Sequence, residues 1–330
     1  MQKMFVLILF FSVHHFSFAQ HINDADHKFL ESKEDSLKIY AQKIVMGKNA
    51  ESRFKADSTF TRMLMRALKT NNSFYHSFDS LQTISMLYAP DSSFKIFTWQ
   101  LVINENIVRQ HGCIQMRTDD GSLKRYVLID KSDITERIAD TVGNNLGWIG
   151  AIYYKIIQKS SMNQNYYTLL GFDENNIRSD RKIIEVLSFV NDEPVFGGRY
   201  FSFENDKVFK TSISRYVMEF KKDAGPRLNY DADLDMIIAE HLISENGQPE
   251  KKWTYIGDGD YEGFKWLGGK WVHVEKIFSY STPEGKEPVP QPLKDNNGNL
   301  LEDRALDNGQ PANAGKPKTK PVVPKKKGEE

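Results

Sequence analysis

The densest run of chemistry-bearing side chains in this 330-residue sequence is Asp258-Gly259-Asp260-Tyr261-Glu262-Gly263. Three carboxylates at i, i+2 and i+4 followed by glycine match the opening of a calcium loop, where alternate oxygens converge on one hard cation. Asp258, Asp260 and Glu262 are therefore the candidate metal ligands, and Ca²⁺ is the cofactor they imply. Two departures count against the match. The twelfth position holds Gly269 where the motif needs Glu, and the flanks are strand-like where it needs helices. The competing reading is a tight Gly-Asp turn between two strands, its carboxylates solvated. Asp231-Ala232-Asp233-Leu234-Asp235 repeats the alternation. On an extended strand its acids would share a face and repel, so a turn leading into Met236 is expected there.

Nucleophilic chemistry has few carriers. The sequence contains no G-x-S-x-G elbow, no H-E-x-x-H pair, no P-loop and no G-x-G-x-x-G opening a helix. Cys113 is the lone cysteine, with His111 two residues away, and positions i and i+2 of a strand share a face. Set among Gly112 and Ile114, Cys113 is expected to be a buried small hydrophobe and the pairing with His111 a coincidence. No catalytic residue is assigned. Aromatics interleave at Trp148, Tyr153, Tyr154, Tyr166 and Tyr167, and again at Trp253, Tyr255, Tyr261, Trp266 and Trp271. Exposed, they would suit a carbohydrate or peptide groove; among so many Ile, Leu and Gly neighbours, a sheet core is expected.

The elements that must carry these residues change period along the chain. Residues 24–70 read as two helices. Leu30, Leu37, Tyr40 and Ile44 form one stripe, with Asp24 as cap; Phe54, Phe60, Leu64 and Leu68 form the next, ending at Asn71-Asn72. Gly47-Lys48-Asn49 separates them, so the pair is a hairpin that packs against the strands C-terminal to it. From about residue 78 short apolar-aromatic runs alternate with turn chemistry such as Pro90-Asp91-Ser92-Ser93 and Asp119-Asp120-Gly121-Ser122. Strands are expected over 83–88, 94–102, 107–116, 123–130, 148–158, 166–172, 182–189, 199–203, 208–213, 215–220, 236–242, 261–266 and 271–278. The fold class is α+β and mostly β: an N-terminal helical hairpin followed by an antiparallel meander, with barrel, sandwich and propeller left open.

Both ends differ from the middle. Lys3 precedes the apolar stretch Met4–Phe11, and Ser17-Phe18-Ala19 offers small residues for cleavage after Ala19, so residues 1–19 read as a secretory signal peptide. That stretch falls short of the roughly 20 apolar residues a membrane span needs. Eight of the twelve prolines fall in 283–330, without an aromatic, a composition expected to stay disordered. Lys316, Lys318, Lys320, Lys325, Lys326 and Lys327 make its end basic, fit for anionic envelope polymers or lipid head groups. The layout is thus 1–19 signal peptide, 20–74 helical hairpin, 75–282 β domain and 283–330 Pro/Lys-rich tail. The chain has 44 basic and 44 acidic residues, and losing Lys3 with the leader leaves a net charge near −1. Nothing in that balance calls for nucleic acid.

The runs Phe94-Lys95-Ile96-Phe97-Thr98-Trp99, Trp148–Lys155 and Tyr166–Phe172 resemble an uncharacterised family of exported Bacteroidota proteins, as do Lys182-Ile183-Ile184, Pro194-Val195-Phe196, Glu240-His241-Leu242 and Asp260–Phe264. The resemblance spans roughly residues 75–280. It implies an envelope setting, periplasmic or extracellular, and supplies no activity. The expected function is a non-enzymatic binding or structural module. The alternatives are a hydrolase using carboxylates and a calcium-stabilised module.

Overall fold

The computed structural model describes residues 22–104, 106–203 and 213–277. The expected leader (1–19) and the expected tail (283–330) lie outside the described residues, as does most of the strand expected over 208–213.

Helices α1 (Asp24–Met46) and α2 (Ala50–Ala67) form the hairpin. Each begins on an asparagine. Asn23, and not Asp24, caps α1 by accepting from the Asp26 amide, which leaves Asp24 and Asp26 to favour the positive end of the helix. Asn49 and Ser52 close a reciprocal capping box on α2. The buried stripe of α1 is Leu30, Glu34, Leu37, Ala41 and Ile44, Glu34 meeting the buried His76 at 2.7 Å. That of α2 is Ala56, Asp57, Phe60, Leu64 and Ala67; Phe54 is off it, 59% exposed. Helix α2 ends at Ala67, earlier than Asn71, and a 3-10 turn at Ser73–Tyr75 leads to the strands.

Beyond the hairpin the described residues form three open sheets, none of them closed into a barrel. The first has the order β1 (Ser85–Tyr88), β2 (Phe94–Asn104), β3 (Ile107–Met116), β4 (Lys124–Ile129), all antiparallel. The second runs β5 (Gly143–Asn144), β9 (Glu193–Phe196), β8 (Ser179–Val190), β7 (Gln164–Asp173), β6 (Ile152–Ser161). One edge of β8 is shared: β9 pairs with its last residues and β11 (Arg215–Lys221) with its first. The third contains β10 (Phe201–Ser202), β15 (Lys270–Val274), β14 (Tyr255–Leu267), β13 (Met236–Ser244) and β12 (Leu228–Asp231), with β10 parallel to β15. Strands β5, β9 and β12 were not among the expected runs; at two to four residues each is too short to show a period.

The layers stack as hairpin, first sheet, second sheet, third sheet, with one apolar cluster in each interval. Hairpin residues meet Phe97, Trp99, Leu101 and Cys113 on one face of the first sheet. Phe94, Ile96, Ile114 and Leu128 on its other face meet Trp148, Tyr153, Leu169 and Ile183. Leu170, Ile184 and Met218 then meet Ile237, Phe264 and Trp271. Because β2 is covered on both faces, it reads as an almost unbroken buried run. Strand β4 alternates instead, since the hairpin does not reach over it: Leu128 is buried while Val127 and Ile129 are 40% and 42% exposed. That uncovered strip beside α2 is where the molecule opens.

Candidate functional site

A groove of about 720 Å³ lies between α2 and β4, floored by Trp99 of β2 and His111 of β3. Asp57 is the polar member of α2's buried stripe, three residues before Phe60, and is 5% exposed. Its Oδ1 accepts from Trp99 Nε1 at 2.7 Å and lies 2.8 Å from His111 Nδ1. A carboxylate oxygen only accepts, so the ring proton sits on Nδ1 and the other ring nitrogen turns away from Asp57. The His111 side chain is 34% exposed and lines the groove. Among the described residues its Nε2 has no hydrogen-bond partner. Trp99 also packs edge-on against both Phe60 and the His111 ring, at 5.2 and 5.8 Å, which fixes the imidazole in two directions.

The far lip is built by Asp130, just past β4. Its carboxylate accepts the backbone amides of Gln110, Ser132 and Gly150 at 3.0, 2.9 and 3.1 Å, so three segments are tied to one side chain. The loop 131–134 is held further by an ion pair between Arg109 and Asp133 at 2.8 Å. Arg62 on the near lip and Lys131 on the far one have no carboxylate partner among the described residues, and both are exposed. A second depression, about 690 Å³ beside Arg53, has its guanidinium already committed to the carbonyls of Val102 and Gly47 at 2.8 Å each.

The structure does not bring Asp258, Asp260 and Glu262 onto one cation. They lie along the single long strand β14, where a turn between two strands was expected. Gly259, with φ +88°, sits in an irregularity opposite His241, where the register slips between Glu240 and Leu242. Asp258 meets His241 at 2.8 Å, Asp260 meets Lys276 at 3.0 Å, and Glu262 turns inward to Tyr216 and His273. Among the described residues no three His, Cys, Asp or Glu side chains are grouped to hold a metal. Asp231–Asp235 does form the expected turn, Asp231 accepting the amides of Asp233 and Leu234.

Cys113 is buried, and burial pushes its thiol up to about 12. It shares the hairpin-facing side of β3 with His111, whose imidazole is bonded to Asp57 instead. The aromatic runs divide as a sheet core would: Trp148, Tyr153 and Trp271 are fully buried and Tyr167 nearly so. Other polar constellations were not visible in sequence, two of them fully buried. Glu185 and Arg215 form an ion pair sealed from solvent, with Tyr153 donating to Glu185 and Trp148 donating to Tyr153 at 2.7 Å. Lys95 is fully buried on the hairpin side of β2, its ammonium donating to the carbonyls of Ser73, Phe74 and His76 at 3.0–3.1 Å.

Comparison with known proteins finds no matching family model, no matching curated protein and no matching solved structure. Among the described residues no helix is long and apolar enough to cross a membrane.

Proposed function

We propose that this chain is an exported binding protein of the cell envelope, and that the groove between α2 and β4 receives a small molecule. One observation carries the reading: His111 is held rigidly by a buried carboxylate and an indole, yet presents its free nitrogen to an open groove. A fixed imidazole costs stability to arrange, and ligand sites place a few such polar groups in otherwise apolar clefts. The export half of the proposal rests on the leader-like residues 1–19, and the basic segment Lys316–Lys327 is proposed to hold the protein near anionic envelope material.

The Asp57–His111 geometry also favours a second reading, a hydrolase in which His111 acts as general base to a side-chain nucleophile. Binding is put first because no hydroxyl or thiol is hydrogen-bonded to His111 Nε2 among the described residues. The test is a screen of chemically mixed small molecules by NMR, following the His111 ring resonances. Compounds that move them and lose their effect in His111→Ala support the proposal. A broad screen in which no compound reaches these resonances overturns it. Turnover of a hit that disappears in His111→Ala would promote the second reading.

A further inference from the structure

The two sides of the groove differ in chemistry, and the difference names a class of occupant. The β4 side is aliphatic: Val127 and Ile129 are 40% and 42% exposed, and Ile134 in the following loop is 69% exposed. Such aliphatics grouped at one cleft are uncommon on a surface that faces only water. The backbone beside them is already spent. Val127 O accepts from Asn145 Nδ2 at 3.0 Å, Ile129 N donates to Asn145 O at 2.7 Å, and Ile129 O accepts from Trp148 N at 3.1 Å. An extended peptide adding to this edge would find those ladder positions taken. A saturated hydrocarbon chain asks for no hydrogen bonds and fits the surface that remains.

The groove's three acids and three cations balance in number, but only cations are left free to turn toward a ligand. Each acid of the groove is engaged: Asp57 by Trp99 and His111, Asp130 by three backbone amides, and Asp133 by Arg109. Arg62 and Lys131 have no carboxylate partner among the described residues. An anionic head group is the complement. About 720 Å³ is within the usual range for a small-molecule site.

We infer that the groove binds a single-chain alkyl carboxylate. Its head group is directed to Arg62 and Lys131, and its hydrocarbon lies along Val127, Ile129 and Ile134. The inference rests on the binding proposal above and gives it a ligand class.

Calorimetric titration of the purified chain at low salt tests it, with decanoate, 1-decanol and acetate as probes. Decanoate should bind one per chain, with 1-decanol about tenfold weaker and acetate unmeasurable. Arg62→Gln and Lys131→Gln should each weaken decanoate about two- to fivefold and leave 1-decanol unchanged, the size expected of exposed charge contacts. Ile129→Asn, at a half-exposed position that does not threaten the fold, should weaken both long-chain probes. Equal affinity for decanoate and 1-decanol, or unchanged decanoate binding in both charge variants, would overturn the anion assignment. Acetate binding as tightly as decanoate would overturn the hydrocarbon part. No decanoate binding, while a compound from the NMR screen still moves His111, means the ligand class is wrong and the binding proposal stands. With neither, both fall.

Discussion

Asp57–His111 and Glu185–Arg215 are both acid–base pairs joined to a tryptophan, and they sit one layer apart. Glu185 and Arg215 are fully shielded, and every approach to them is closed. Arg215 Nε and Nη2 lie 3.1 and 3.0 Å from one Glu185 oxygen, Nη1 donates to the carbonyls of Ile138 and Thr141, and Tyr153 donates to the other oxygen. Such a pair ties β8 to β11 and to the 138–141 loop, and its burial leaves no path for a ligand. Asp57 is as deeply placed, at 6% side-chain exposure, but its partner His111 is 34% exposed. Burial of the acid makes each site rigid. Exposure of the base is what separates a site that can meet another molecule from one that only braces the fold.

The contrast can be tested by substitution. The largest effect should come from Arg215→Ala, which leaves Glu185 charged and alone in the interior. A loss of about 3–5 kcal/mol is expected by urea denaturation. A loss under about 1 kcal/mol would mean the sealed pair is not a brace. Leu37→Ala, at a fully buried position of α1, should cost about 2–4 kcal/mol, since the hairpin is a wall of the open site and shares its core. An unaffected midpoint would show the hairpin to be only loosely attached.

Lys95 supplies a pH test. Burial lowers its pKa to about 7, below that of a lysine in the unfolded chain, against the pull of three carbonyls that favour the ammonium. Between those two values the unfolded chain binds the extra proton, so folding stability should rise with pH. From about pH 7 to 8.5 the wild type should gain on Lys95→Met by up to about 1.4 kcal/mol per pH unit. Cys113, whose raised pKa acts in the opposite direction at higher pH, is present in both proteins and cancels in the difference. A flat difference between wild type and variant over that range would refute the assignment. The smallest effect is expected from His111→Ala, about 0.5 kcal/mol, because that ring faces solvent and the Asp57 bond to Trp99 survives. A loss above about 2 kcal/mol would place His111 with the braces.

The elements were readable where a period ran long enough. Leu30, Leu37 and Ile44 announced α1, and the turn residues between aromatic runs announced the antiparallel sheets. The groove was not readable, because Trp99 and His111 lie 42 and 54 residues from Asp57 and meet it only after α2 settles on β2 and β3. One local sign was present: a carboxylate on the apolar stripe of α2, seven residues before Leu64, where only a partner across the interface makes it tolerable. Asp258, Asp260 and Glu262 misled in the opposite way. Their spacing imitates a loop, but each had a basic or hydroxyl partner waiting on a neighbouring segment.

Lys95 also gives the molecule a built-in clock. Its amine is enclosed by the rings of Phe74, Phe78, Tyr88 and Phe97, at 5.1–5.6 Å, beneath the segment that joins the hairpin to the sheets. With a pKa near neutrality much of it is unprotonated and intrinsically reactive, but an acylating reagent cannot reach it through closed rings. Its modification therefore waits for residues 73–76 to lift away. The rate at which Lys95 is labelled, compared with an exposed lysine such as Lys131, reads how often that strap opens, on a timescale no static distance reports.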